Sequence, residues 1–434
     1  MKRLNKILWP VVVLFLTTQL IANDIIPGEK QKQPIALINA KIFTVSGNIV
    51  ENGTLIFEKG KISAVGMADI KIPDDAEVID VKGKNVYPGI IAAYSQLGLL
   101  EIEAVRATLD YNEVGDFNPN VKAVTAYNPD SDIIPTVRSN GITTALIAPL
   151  GGTVSGISSL LNLDGWNQED ETVRDNVAMH LSWPRMTVRQ SRRVKDSAEK
   201  QKKQMEENLQ KLEKWFDDAA AYAKARKADP DKKVDIRFEA MIPVFEKKMP
   251  VIIDADEYKQ IEAAVDFCKR HDLKMILFSG EDSWKLTDLL VENDIPVILH
   301  HTHALPARED EDYDLPFKRP VLLKEAGVKF CLTKTSSAVW DIRNIPFYAG
   351  TAVTFGLSEA DALKSITLWP AEILGVADKL GSLEVGKNAT LIVSKGDILD
   401  MQTSIVELMF IDGRKVNIDD KQKRLYRKYE ARYK

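Results

Sequence analysis

The sequence predicts an α/β protein: a parallel sheet covered by helices in the middle of the chain, beside a small β-domain assembled from the two chain ends. Between residues 88 and 375, near-continuous apolar strands alternate with helical stretches, the pattern of a sheet buried on both faces. The strand–helix units run to roughly 20–30 residues, a length that favours a barrel over an open sheet. Residues 35–80 and 380–417 each hold short Val- and Ile-rich strands with no visible core of their own, so the economical solution packs the two groups together.

In chain order, residues 1–22 read as a secretory signal peptide. Lys2, Arg3 and Lys6 precede a mostly apolar run over 7–21, and Ala22 offers a small residue for cleavage. Export would place the protein in the periplasm. An uncleaved anchor is the alternative, although the run is shorter than the roughly 20 residues that span a bilayer. Residues 35–87 form the first part of the β-domain, with IALINAKIFTV, GTLIFEKG and KISAVG divided by glycine-containing turns. The central unit, 88–375, contains the strands NVYPGIIAAYS, GITTALIAP, VAMHLSW, MPVIIDA, KMILFSG, IPVILHH and VKFCLT. Helices are expected at EYKQIEAAVDFCKR, EDSWKLTDLLVEN and PVLLKEAG. Residues 189–228 break the rhythm. They are rich in Lys, Glu, Gln, Asp and Ala, with Met205, Leu209, Leu212, Trp215 and Phe216 spaced as one apolar stripe. This is a long helix or helical hairpin, its charge either a solvated face or a docking surface. NATLIVSKG and SIVELMFIDGRKV complete the β-domain over 380–417, and 418–434 form a basic tail or helix.

Composition narrows the function. The formal net charge is −5, so there is no domain-scale positive field and nucleic acid is excluded as the main partner. Five His and two Cys preclude a Cys-rich zinc site. Cys268 and Cys331 stand at no redox-motif spacing and read as buried free thiols. Gly151, Gly152, Ser155 and Gly156 offer flexible backbone without a following Gly-Lys-Ser/Thr, and no Gly-x-Ser-x-Gly run is present.

The candidate site lies at strand ends. His300, His301 and His303 follow the strand IPVIL, and Asp254 and Asp256 close the strand MPVII. Barrel enzymes gather their chemistry at the C-terminal ends of strands. Asp254, Asp256 and His301 are the candidate acid–base residues, because carboxylates and imidazoles move protons near neutral pH. His301, His303 and Asp254 could alternatively hold one Zn, Fe or Mn ion. The same His residues also suit hydrogen bonding in a cleft or a purely structural role, and Asp256 suits a helix cap. Arg343 could clamp a carboxylate or fix a loop. His180 reads as a packing residue, and His271 as a cap or a solvent-facing residue.

Several segments together resemble the amidohydrolase superfamily, in its imidazolonepropionase-like branch: ALINAKIFTV, VYPGI at 86–90, RSNGITT at 138–144, ALKSITLWPAEILGV at 362–376 and LGSLEVGKNATLIV at 380–393. The resemblance implies a closed (β/α)8 TIM-like barrel beside a composite β-sandwich. It also implies hydrolysis of a non-peptide or cyclic carbon–nitrogen bond in a small molecule, ordinarily with one or two divalent metals. The family's first strand ends in Asp-x-His-x-His; here Ala92, Tyr94 and Gln96 take those places. Asp254 matches the fifth-strand His, Phe278-Ser279-Gly280-Glu281 lacks the sixth-strand His, and Thr335 is the nearest match to the last-strand Asp. Tyr94, Gln96, His300, Thr335 and Arg343 are accordingly expected to contact substrate, and the cofactor is either none or one divalent metal. The alternative is a catalytically silent relative that binds a small molecule. Such a chain could also serve as a homo-oligomer or as the partner subunit of a metal-complete amidohydrolase.

Overall fold

The computed structural model describes residues 25–189, 194–300, 302–334 and 339–434. The expected signal peptide, His301 and Thr335 lie outside the described residues.

The chain begins with β1 (Ile35–Phe43), β2 (Ile49–Glu58), β3 (Lys61–Met67), β4 (Glu77–Asp80) and β5 (Asn85–Pro88). It then builds a second sheet from β6 (Ile90–Ser95), β7 (Ile142–Ile147), β8 (Val154–Asn162), β9 (Thr172–Ser182), β10 (Val251–Asp254), β11 (Met275–Ser279), β12 (Val297–Leu299) and β13 (Phe330–Leu332). It returns to the first sheet with β14 (Leu391–Ser394), β15 (Val406–Ile411) and β16 (Arg414–Lys415).

The first sheet is composite, ordered β16-β15-β14-β5-β1-β2-β3, with β4 also on β1. Strand β14 pairs antiparallel with β5, setting Val393 opposite Val86. Phe57 from the N-terminal half meets Phe410 from the C-terminal half edge-on, with ring centroids 5.0 Å apart. Leu37, Ile42, Leu55, Ile62, Leu391 and Val393 complete a core that neither half could bury alone.

The second sheet follows chain order from β6 to β13 and forms a nearly closed, TIM-like barrel. The Thr333 hydroxyl, just past β13, donates to the Tyr94 carbonyl of β6 at 3.4 Å and links the first strand to the last. The outer faces of the strands carry Met179, Leu181, Val251, Ile253, Leu277 and Val297 and pack on helices. The inner faces carry Ile91, Leu146, Ala178, Ile252, Ile276 and Ile298, with Leu374 and Leu380 in the same cluster.

Two details differ from the linear reading. The run NVYPGIIAAYS divides at Gly89, so its first part belongs to the sandwich and its second to the barrel. A Cβ on Gly89 would fall within the Thr143 side chain. Gly89→Ala should therefore destabilise the fold by about 1–3 kcal/mol, the cost of overpacking, with a lowered denaturant midpoint as the readout. Second, the Gly151–Gly156 region leads directly into β8, which is antiparallel to both β7 and β9. The barrel is thus not built of uniform parallel units. The β8 run VSGISSLLN mixes Ser and Gly among its apolar residues and is poorer in Val and Ile than β10 or β12.

The long helix spans Ala198–Ala228, capped by Ser197. Leu212, Phe216, Ala219 and Tyr222 are its buried residues, so it is anchored from its middle onward. It lies beside the helix Ile236–Phe245. A basic helix, Lys421–Glu430, is capped by Asp420 and tied to Asp132 through Lys421 and Arg424.

Candidate active site

Parallel register brings the expected residues to one level. Asp254 pairs with Ser182 on one side and Phe278 on the other. Phe278 pairs with Ile298, and Ile298 with Cys331. Neighbours in a parallel sheet point to the same face, and Phe278, Ile298 and Cys331 belong to the interior cluster. Asp254 therefore enters the barrel at its C-terminal mouth, half-buried.

Aromatic rings crowd this level. Tyr94 stacks on Phe278 at 4.1 Å between centroids, and Phe278 stacks on His300 at 4.3 Å. His180 tilts against Tyr94 at 5.6 Å. Tyr94, His180, Phe278 and His300 are all buried. A Cβ on Gly280 would lie 2.9 Å from the His300 ring, so glycine permits the close approach of β11's end to that imidazole. The Gln96 side-chain amide reaches the Ala148 carbonyl at 3.4 Å.

Electrostatics follow from this packing. Burial, reinforced by the neighbouring Asp256, pushes the Asp254 carboxyl up to about 7. Burial and the Asp254 charge raise the Tyr94 phenol further. Asp256 accepts from the Gly280 amide at 2.6 Å and stands 3.6 Å from the His300 Nε2. The helix Tyr258–Arg270 is capped by Glu257, whereas the linear reading allowed Asp256 that role; Asp256 is instead turned to the β11 loop. That loop is also held by Arg319, 1% exposed, whose Nη1 donates to the Gly280 carbonyl. Beside it, burial raises the Glu281 carboxyl. Asp282 is clamped by both outer nitrogens of Arg308, at 2.8 and 2.6 Å. Nothing in the linear pattern separates Arg319 from the solvent-facing charges of its helix, and only packing selects it.

Other expected residues lie apart from this level. His303 is bonded through Nε2 to Thr351 at 2.6 Å and packs against Tyr348 and Phe317. The Arg343 carbonyl accepts from Asn140, which precedes β7 and so lies towards the end opposite the mouth. His271 closes the helix Tyr258–Arg270 and bonds Glu213 of the long helix at 3.1 Å. Cys268 and Cys331 are free and buried, and burial pushes the Cys268 thiol up to about 12.

The described side chains do not fit a metal centre of the family type. Among the described residues, no group of three His, Cys, Asp or Glu converges as ligands. The positions matching His-x-His hold a stacked phenol and an amide already engaged with backbone.

His180, two residues before the mouth level, has its own consequence. Burial lowers its imidazole to about 3, against about 6.5 when unfolded. As pH falls below about 6.5 the unfolded chain binds a proton that the folded chain refuses. Stability should then decline from pH 6.5 towards 3, by several kcal/mol at the lower limit. His180→Gln should flatten that decline in equilibrium unfolding measured across the range.

The Amidohydrolase family profile matches residues 323–419. An amidohydrolase from Thermotoga maritima MSB8 superposes with a TM-score of 0.76 at 25% identity, covering 88% of this chain and 99% of that one. The family match is thus confined to the C-terminal part of the chain, while the whole chain shares the fold of an amidohydrolase. Amidohydrolase tasK of Hapsidospora irregularis is 22% identical over 398 residues; the match spans 83% of this chain but 39% of that protein. Phenylurea hydrolase B shares the fold, with a TM-score of 0.53 at 15% identity over 89% of this chain and 97% of its own. Within this shared barrel, Tyr94 stacks on Phe278 and the Asp254 carboxyl is raised by burial.

Proposed function

We propose that this chain hydrolyses a non-peptide or cyclic carbon–nitrogen bond of a small molecule, with Asp254 moving the proton. The Asp254 carboxyl carries this proposal: it sits at the barrel mouth and titrates at about 7. Near neutral pH both of its forms are populated, so it can take a proton from water and deliver one to a leaving nitrogen. Tyr94, Gln96 and His300 would shape the floor on which the substrate lies, and no step is routed through a metal. Homology to an amidohydrolase superfamily and the retained barrel support the reaction class.

A second proposal, a catalytically silent small-molecule binder, is favoured by the ring stack at the positions that match metal ligands. Either protein would act in the periplasm if residues 1–22 direct export. A panel of small amides, cyclic amides and ureas, assayed for released amine with wild type and Asp254→Asn, tests both. Turnover lost in the variant supports hydrolysis. Binding of a panel member without turnover, unchanged in the variant, supports the silent binder.

A further inference from the structure

At the end of the barrel opposite Asp254, a second group of buried polar side chains surrounds a cavity. Arg138, 3% exposed, ends the helix Ile133–Arg138 just before β7. Its Nη1 donates to the Leu163 carbonyl at 2.8 Å and to Asp164 at 2.9 Å. Its Nε and Nη2 are buried without a partner. Those two nitrogens form the guanidinium edge whose spacing matches the two oxygens of a carboxylate. Glu171 is also buried, with the Tyr127 hydroxyl interacting with its carboxyl. An unpaired buried donor is costly, so two on one guanidinium edge call for an occupant.

The cavity has a volume of about 160 Å3 and is lined by Arg138, Asp164 and Glu171 with an apolar wall that includes Ile26, Ile134 and Trp166. The Gly28 amide donates to Asp164 at 3.0 Å and holds the N-terminal strand of chain beside it. Asp164 is shared: Arg414 stands 3.5 Å from its second oxygen. Two guanidiniums therefore face Asp164, while burial pushes the neighbouring Glu171 carboxyl up to about 8. The local balance leaves room for one negative charge. In size, the cavity equals about five water molecules, enough for an acid of a few carbons.

We infer that this cavity binds a small monocarboxylate, with its oxygens on Arg138 Nε and Nη2 and its alkyl end against Ile134 and Trp166. The site is independent of the chemistry proposed at the mouth. Calorimetric titration of the full chain with acetate, propionate and butyrate, with inorganic phosphate as comparator, tests it. Saturable one-to-one binding of a carboxylate is expected at pH 6.5, weakened at least tenfold by Arg138→Lys, which keeps the charge but loses the fork. Trp166→Ser, at the exposed lip, should weaken butyrate more than acetate and serves if Arg138→Lys does not fold. Affinity should fall as pH rises through about 8, when Glu171 ionises among Tyr127, Arg138, Asp164 and Arg414, and Glu171→Gln should remove that fall. Absence of saturable carboxylate binding, which would mean water alone fills the cavity, overturns the inference. So does binding of phosphate in place of carboxylates, or carboxylate affinity untouched by both Arg138→Lys and Trp166→Ser.

Discussion

Phe216→Ala is expected to lower the free energy of unfolding by about 3–5 kcal/mol, the range for removing a large ring from a packed core. Phe216 is fully buried in the anchored half of the long helix. Its ring meets Phe267 edge-on at 4.8 Å, Trp215 at 5.4 Å and Phe245 at 6.3 Å. It thereby joins three helices: its own, Ile236–Phe245 and Tyr258–Arg270. The last of these follows directly from the β10 end that carries Asp254 and Asp256, so the loss should also loosen the mouth. Met205→Ala, in the projecting half of the same helix, should stay within about 0.5 kcal/mol. Denaturant unfolding at constant m-value separates the two variants. A loss below about 1 kcal/mol for Phe216→Ala would show that the long helix is not tied to the barrel through this ring.

Asp254→Asn is expected to reduce kcat by about 10²–10⁴-fold on any substrate that the wild type hydrolyses, the usual contribution of a positioned acid or base. The wild-type rate should change with pH around 7, following this carboxyl. Its stability effect has the opposite sign. The folded carboxyl titrates near 7 and the unfolded one near 3.9, so between those values the unfolded chain releases a proton that the folded chain keeps. Stability is therefore lost as pH rises from about 4 to 7. A neutral amide escapes that loss, and Asp254→Asn should be more stable than wild type at pH 7.5, on the order of 1–2 kcal/mol after allowing for partial exposure. A variant that is inactive yet stabilised marks a carboxylate kept at a cost to the fold. An inactive variant that is also destabilised would make Asp254 part of the scaffold.

Much of the fold was legible because it rests on local pattern. Apolar runs such as VIID and MILFS can be buried on both faces only inside a parallel sheet, and the two groups of end strands each lacked a core. The stripe Leu212, Trp215 and Phe216 declared its helix in the same way. β8 was not legible, because its Ser- and Gly-containing run takes its strand conformation from pairing with β7 and β9 rather than from its own composition. The site was legible in part. Asp254 and His300 stood at strand ends, and strand ends meet at the mouth. His303 and Arg343 follow strands, but after a strand stops, alternation no longer controls direction: the His303 ring meets Thr351, and Arg343 sits in a short helix where its carbonyl accepts from Asn140.

Residue type and period alone were enough to specify the layered α/β architecture and the pairing of the two chain ends. Only the tertiary structure decided that Tyr94, Phe278 and His300 stack, that Asp254 is buried far enough to titrate at about 7, and that Arg138 turns an unpaired edge into a cavity. These properties depend on desolvation and on contacts between residues distant in the chain, and the free energy of a charge is set by what surrounds it in space.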